Sequence, residues 1–378
     1  MPRRSRAAKK IDDTRARPPR DATTTRPPAK KVRRKEKRVA SKPKEKRDAA
    51  TPKGKQVAPK PTLAVVGAGR LGTALAVALE RRGYRVAALV ARERSHARRA
   101  SRLLSSTPPA LGSSELGKIP DSAILIIATP DDRVAETAAR LAAATRLAES
   151  AHARLSSPSR RAPQRVALHV SGALSSDALA PLRARGFAVG SLHPLVSVSD
   201  AASGADDLRG AFYCVEGDAA AERAARRVVR DLGGSAFSVS PRDKVLYHAA
   251  AVMAAGHLTA LFDAATTLLA RCGVREKIAR RALLTLSASA LENLARAPDN
   301  ARALTGPFAR RDLDTVRKHL AALGALEEGE TFNLYVTLGR RAIRMSAHGA
   351  ADEDRKILDE LQRTLEKQTA GIVVKPKP

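Results

Sequence analysis

The chain has 378 residues, enough for two domains with a sizeable core, and a formal net charge of +31. Its two cysteines, Cys214 and Cys272, are far apart and fit neither a metal spacing nor a disulfide framework. No signal peptide and no apolar run long enough to span a bilayer is read from the sequence, so the expectation is a cytoplasmic protein without membrane contact.

The charge is uneven. Residues 1–60 hold 23 Lys and Arg against six Asp and Glu, whereas the other 318 residues hold 46 against 32. This first stretch is low in large apolar residues and rich in Pro, Ala and Thr, which predicts a disordered tail. A basic arm of this kind suits non-specific contact with a polyanion, either nucleic acid or acidic lipid. No aromatic is interleaved to stack on bases. A solubilising extension, or translation begun upstream of the true start, accounts for the tail equally well. Asp12, Asp13, Asp21, Glu36 and the prolines argue against an amphipathic transit peptide.

The next stretch, Thr62 to Arg94, organises the rest. Leu63–Val66 is a short apolar run suited to a buried strand. Gly67, Gly69 and Gly72 follow with the spacing G-x-G-x-x-G. Thr73–Arg82 reads as a helix with an apolar face, Gly83 ends it, and Val86–Val90 is a second strand. In this context each glycine has a role. Gly67 permits the turn, Gly69 lets a pyrophosphate approach the backbone, and Gly72 lets the helix pack on the sheet. With Arg70 and Leu71 at the helix N-terminus, the site favours an anion and predicts a bound dinucleotide. An NAD site usually places an acid about 20 residues beyond the glycines. Here Arg92 stands there, with Arg94, Ser95 and Arg98 nearby, which suits the 2′-phosphate of NADP. Glu93 is adjacent and keeps NAD open.

A helix over Ser95–Leu104 and a polar loop over Ser105–Leu116 come next. Ala123–Ala128 is a buried strand that ends in Thr129-Pro130-Asp131-Asp132. Thr129 and Pro130 are expected to face the cofactor, and Asp131 or Asp132 to cap a helix over Val134–Leu147. Residues 148–164 read as a surface excursion. The strands Val166–Val170 and Ala188–Leu192 each end near a histidine and a small hydroxyl, His169 with Ser171 and His193 with Ser191. Either histidine could donate a proton, bind substrate or serve structure alone. Phe212–Val215 and Ala236–Val239 flank a helix over Ala219–Leu232 and extend the sheet. From Pro241 strand patterns stop. Helical spacing runs through Asp243–Cys272, Arg275–Ala297, Leu313–Leu323 and Thr331–Ser346, with a last charged helix over Asp352–Gln368 and a loose tail.

The stretches VVGAGRLGTALAVAL, ATPDDRV, HVSGALSSDAL, GSLHPLVS, DKVLYHAAAVMAAGHL and ALTGPFARRDLDTVRKHLAAL, in this order over roughly residues 61–345, resemble the Rossmann-like proteins that carry a DUF2520 domain. That family is distantly related to ketopantoate reductase, pyrroline-5-carboxylate reductase and the 6-phosphogluconate dehydrogenase-like enzymes. The resemblance implies NADPH-dependent reduction of a small 2-oxo acid, ketopantoate first among them, with Ser171 near the cofactor. It also implies a homodimer through the helical domain.

Such a reduction needs a hydride donor and a proton donor. Lys244 opens the first helix of the helical part, and His248 lies four residues on, on the same face. The related reductases look similar here, so Lys244 is the candidate acid, with His248 beside it. His169, His193, Thr305 and Arg310 are the candidate substrate residues, Arg310 as a carboxylate clamp. Two positions depart from the family. Gly256 stands where an asparagine is usual, and Arg311 stands where a glycine is usual. The fold expected is a doubly wound, mostly parallel α/β Rossmann domain over 61–240. An all-α domain over 241–350 and a terminal helix over 351–378 follow it, with ligand in the crevice between the domains. A catalytically inactive NADP-binding regulator with a polyanion-binding tail is the second reading.

Overall fold

The computed structural model describes residues 60–144, 164–326, 329–347 and 352–370. The basic tail up to residue 59, most of the 148–164 excursion and the last eight residues lie outside these. The strands are β1 (Thr62–Val66), β2 (Arg85–Ala91), β3 (Ala110–Gly112), β4 (Ile124–Ile127), β5 (Val166–His169), β6 (Ala188–Pro194), β7 (Phe212–Gly217) and β8 (Ser235–Phe237). They form one sheet in the order β3-β2-β1-β4-β5-β6-β7-β8, parallel except where β6 meets β7. The chain leaves β1 toward β2 and returns past it to β4, so the order reverses there and opens a crevice at the strand C-termini.

The helices of this half are α1 (Arg70–Glu80), α2 (Arg94–Ser101), α3 (Asp131–Ala143), α4 (Ala180–Arg183), α5 (Ala201–Asp207) and α6 (Ala219–Asp231). Both faces of the sheet are covered, so the central strands are apolar on both sides. Leu63 and Val65 join one core with α1 and α6, while Ala64 and Val66 join the other with α3. This is the doubly wound α/β fold expected. Two details differ. β3, only three residues long, lies inside the stretch read as a loop. Asp131 opens α3 without capping it, because its carboxylate accepts the Ser171 hydroxyl at 2.8 Å.

After β8 the described residues are helical. A long helix, α7, runs from Lys244–Val252 through a π-helical turn, Met253–His257, into Leu258–Arg271. Then come α8 (Glu276–Arg296), α9 (Asn300–Ala303), α10 (Gly306–Arg310), α11 (Leu313–Gly324), α12 (Gly329–Ser346) and α13 (Asp352–Ala370). The last three share a core of Val316, Leu320, Phe332, Val336, Leu361 and Leu365. Arg311, at the usual glycine position, ends α10 in the left-handed conformation at φ 58°, which explains why glycine suits that place.

One expectation is corrected. The stretch Pro241–Arg271, 31 residues, is long and apolar enough to cross a membrane by length and composition, and its apolar window is not buried within the chain. The ionisable Lys244, His248 and Asp263 break it into shorter apolar runs, which hid it in the sequence.

Candidate functional site

The glycine turn shows why each position needs glycine. Gly67 has φ 111°, and a Cβ there would lie 2.4 Å from the Ala128 carbonyl. A Cβ on Gly72 would lie 2.0 Å from the Gly67 oxygen, so the helix packs against the turn only without one. A Cβ on Gly69 would meet no atom within 4 Å, which leaves open space beside the backbone. No side chain caps α1, so the first amides of the helix, at Arg70, Leu71 and Gly72, stay available to an anion. Arg70 is exposed, and Leu71 packs against the core.

Gly67 and Gly69 border a cavity of about 430 Å³ at the strand ends of β1, β2 and β4. Arg92, Glu93, Thr129 and Pro130 line it as the sequence predicts. The Thr129 hydroxyl is buried without a hydrogen-bond partner, a group that a ligand in the cavity would satisfy. Two sequence candidates are not there. Ser95 turns its hydroxyl to Glu93 at 3.3 Å. Ser171 is spent on its own loop: its hydroxyl donates to Asp131 and accepts from the amides of Ala173 and Leu174, both at 3.1 Å.

Four further lining groups were missed. His96 comes from α2, and Arg133 and Arg140 project from α3 with Thr137 between them. The spacing 133, 137, 140 is one helical stripe, a signal present in the sequence. Arg140 also donates to the Ser113 carbonyl at 2.6 Å, which fixes it at the rim. Arg92, Arg133 and Arg140 line the cavity with one carboxylate, Glu93, and Glu136 on α3 pairs with Arg133 at 3.1 Å and Arg140 at 3.9 Å; the balance stays on the cationic side, which suits a dinucleotide with an added phosphate.

A second cavity, about 390 Å³, lies where α7 crosses the end of β6. His193, Pro194, Leu195, Val196 and Ser197 form one wall, and His248, Ala251, Val252, Ala254, Ala255 and Gly256 the other. The first turn of α7 is fastened to β6 by a matched pair of contacts. Lys244 Nζ donates to the Ser191 hydroxyl at 3.0 Å, and the Tyr247 hydroxyl bonds His193 Nδ1 at 2.6 Å. Helix positions three apart thus meet strand positions two apart, which share one face. The imidazoles of His193 and His248 stand 5.4 Å apart, edge to face, and converge over Gly172. A Cβ on Gly172 would lie 2.3 Å from His248 Nδ1 and 2.9 Å from His193 Nε2, so only glycine fits beneath them.

Lys244 is fully buried, 0% exposed, so it does not face the crevice as a proton donor at its surface would. Burial lowers its pKa, opposed by the nearby Cys214, Glu216 and Asp131. Glu216, itself buried, accepts the amide and hydroxyl of Ser176 at 2.9 and 2.6 Å.

His169 is also fully buried. Its Nδ1 accepts the Ser171 amide at 3.2 Å and its Nε2 donates to the Ser175 carbonyl at 3.0 Å. Both nitrogens are used, and burial lowers its pKa to about 4 despite the Ser175 bond. It therefore shapes the loop under the cavity, with neither nitrogen left over for a substrate, unlike the substrate-binding role expected from the sequence. Burial also lowers the His193 pKa to about 4, helped by His248, Lys244 and His169. The His248 Nδ1 atom is buried without a partner.

Thr305 and Arg310 flank α10, whose Phe308 packs on the core of the last three helices, and neither residue lines the second cavity. One chain therefore does not bring them to the histidine pair.

Family models match this chain in two consecutive segments. A Rossmann-like domain covers residues 48–194, and DUF2520, a domain of unknown function, covers residues 211–342. The chain belongs to the Rossmann-like proteins with a DUF2520 domain. Among solved structures, protein TM1727 from Thermotoga maritima is similar at 20% identity and TM-score 0.56, with 76% of this chain and 99% of that one covered. BF3122 from Bacteroides fragilis, to which an NADP oxidoreductase function is ascribed, is similar at 18% identity and TM-score 0.58, over 75% and 97% of the two chains. Both likenesses show the fold. No curated protein matches in sequence.

Proposed function

We propose that this DUF2520 protein is an NADP-dependent oxidoreductase that reduces a small 2-oxo acid, with ketopantoate the first substrate to try. The observation that carries the reading is the first cavity: a glycine turn with open space at Gly69, an unpartnered Thr129 hydroxyl, and Arg92, Arg133 and Arg140 around it. Those residues suit NADP more than NAD, with the amides of α1 on the pyrophosphate and the guanidinium groups at the 2′-phosphate. A bound nicotinamide would supply hydride. This chain's own residues would hold the carbonyl compound in the second cavity, exclude water with Leu195, Val196, Ala251 and Val252, and provide the proton. Lys244, behind Ser191, acts on the proton from behind the histidine pair and not by direct contact.

The reading includes a homodimer. Val245, Leu246 and Met253 on α7 are 65–74% exposed, and Ile278, Leu284, Leu286, Leu291 and Leu294 on α8 are also exposed. A second copy would cover this face, and its Thr305 and Arg310 would supply the carboxylate clamp that one chain lacks. The cytoplasm, with both thiols free, is the proposed compartment, and residues 1–60 the proposed polyanion contact.

The test is NADPH oxidation, followed by absorbance, with the full chain and a panel of 2-oxo acids. Substrate-dependent oxidation with a preference for NADPH over NADH is expected. Tight NADPH binding with no turnover on any acid would instead favour the inactive, regulatory reading.

A further inference from the structure

The helix wall of the second cavity holds a glycine that the fold itself does not require. Gly256 stands inside α7, where glycine is less stable than alanine. Its backbone is helical, with no positive φ to call for glycine. Beyond the helix's own backbone, a Cβ at this place would meet one atom within 4 Å, Val252 Cγ1 at 3.8 Å. Gly67, Gly72 and Gly172 are glycines because a Cβ would clash, and Gly256 is not one of that kind. What it does is leave space, and the space is reachable because Gly256 is exposed.

The π-helical turn Met253–His257 aims that space at the histidine pair. In an unbroken α-helix, positions eight apart diverge by about 80° around the axis. A π turn takes more residues per revolution, so Gly256 comes back into line with His248 and Val252, and all three line the cavity. Pro194, Leu195 and Val196 stand across from them. Among the described residues that line this cavity there is no Asp, Glu, Lys or Arg. Its polar groups are Ser197 and the two histidines that converge over Gly172. A carbonyl oxygen has partners at the histidine end, and the remaining wall is aliphatic. The volume, about 390 Å³, falls among small-molecule pockets and exceeds what a three-carbon acid fills.

We propose that Gly256 determines substrate specificity, by leaving room for a branched or aromatic apolar side chain on a 2-oxo acid whose carbonyl meets the histidine pair. This rests on the reductase reading above. Burial of such a side chain removes apolar surface of both partners from water, and each carbon that fits adds to the preference. The methyl of pyruvate leaves the groove empty. Ketopantoate fills part of it but carries a hydroxyl against an apolar wall, so it ranks between pyruvate and phenylpyruvate.

The test is kcat/KM for NADPH oxidation by the full chain with pyruvate, ketopantoate and phenylpyruvate. The wild type should favour phenylpyruvate over pyruvate by about 10²-fold or more. Gly256→Leu, which fills the groove, should cut that ratio by about 10²-fold, and Gly256→Ala by about tenfold or less. Calorimetry with NADPH, which reads the other cavity, shows whether both variants are folded. A wild type that prefers pyruvate, or an equal loss on all three acids in Gly256→Leu, would overturn the proposal. Sedimentation of Gly256→Leu as monomers from a dimeric wild type would assign the groove to a second copy and overturn it as well. Absence of turnover on every acid would defeat the reductase reading. Saturation-transfer NMR of phenylpyruvate with NADPH present then decides the role of Gly256: binding that Gly256→Leu abolishes supports it, and no binding to the wild type overturns it.

Discussion

The two halves of the chain bury opposite things. In the sheet half, β1 and β4 bury apolar residues on both faces and keep polar groups for the strand ends. In the first segment of α7 the buried side chain is a lysine, Lys244, while Val245 and Leu246 beside it are 69% and 74% exposed. The difference teaches that the sheet half closes its own core, whereas the α7–α8 face stays uncovered within the chain and is the face the proposed dimer would bury. The first turn of α7 is the exception that joins the halves: it trades apolar burial for Lys244→Ser191 and Tyr247–His193 contacts and so builds the site.

The largest way to break that comparison is to charge the uncovered face. Leu246→Glu with Met253→Glu should convert a dimer to monomers, a loss of at least about 100-fold in association, by desolvating two carboxylates against apolar surface. Sedimentation would show it, and turnover should fall with it because Thr305 and Arg310 would no longer be delivered. A wild type that sediments as a monomer would refute the assignment of this face to a second copy.

A smaller effect sharpens the view of the sheet half as a closed core holding neutral imidazoles. His169 and His193 have pKa values near 4 in the fold against 6.5 in the unfolded chain. Below pH 6.5 the unfolded chain binds protons that the native state refuses, so unfolding free energy should drop between about pH 6.5 and 4. The loss is up to about 3 kcal/mol for each histidine, and stability should be flat with respect to them above that window. Denaturant titration at pH 7.5, 5.5 and 4.5 measures this, and equal stabilities would contradict the burial.

The smallest concerns Arg311. Its left-handed φ costs about 1–2 kcal/mol, partly offset by the flexibility that glycine adds to the unfolded chain. Arg311→Gly should therefore stabilise by about 0.5–1 kcal/mol, a rise of a few degrees in Tm. A fall in Tm would mean that the arginine's contacts outweigh its strain.

Much of this was legible in the sequence. Strong apolar runs and glycine spacing located β1, β2 and β4 and the cofactor turn, because those signals are local. The helices after Pro241 followed from their spacing. What was hidden depends on tertiary placement. β3 is three residues long and owes its existence to pairing with β2. Lys244 reads as an exposed helix-start lysine until β6 and β7 close over it. His169 and His193 occupy equivalent strand-end positions, yet the loop after β5 uses both nitrogens of one, while Tyr247 leaves a nitrogen of the other free. Arg133 and Arg140 were readable as a stripe on α3, but only the sheet order shows that the stripe faces the cavity.

The central claim is that the glycine turn and its arginines bind NADP. Calorimetry with NADPH and NADH on the wild-type chain and on Gly69→Asp tests it most directly. NADPH should bind about tenfold or more tightly than NADH, and Gly69→Asp should abolish binding of both. Its melting temperature should hold, since no atom lies within 4 Å of the added Cβ. Undiminished NADPH affinity in Gly69→Asp, or no binding of either nucleotide to the wild type, would contradict it.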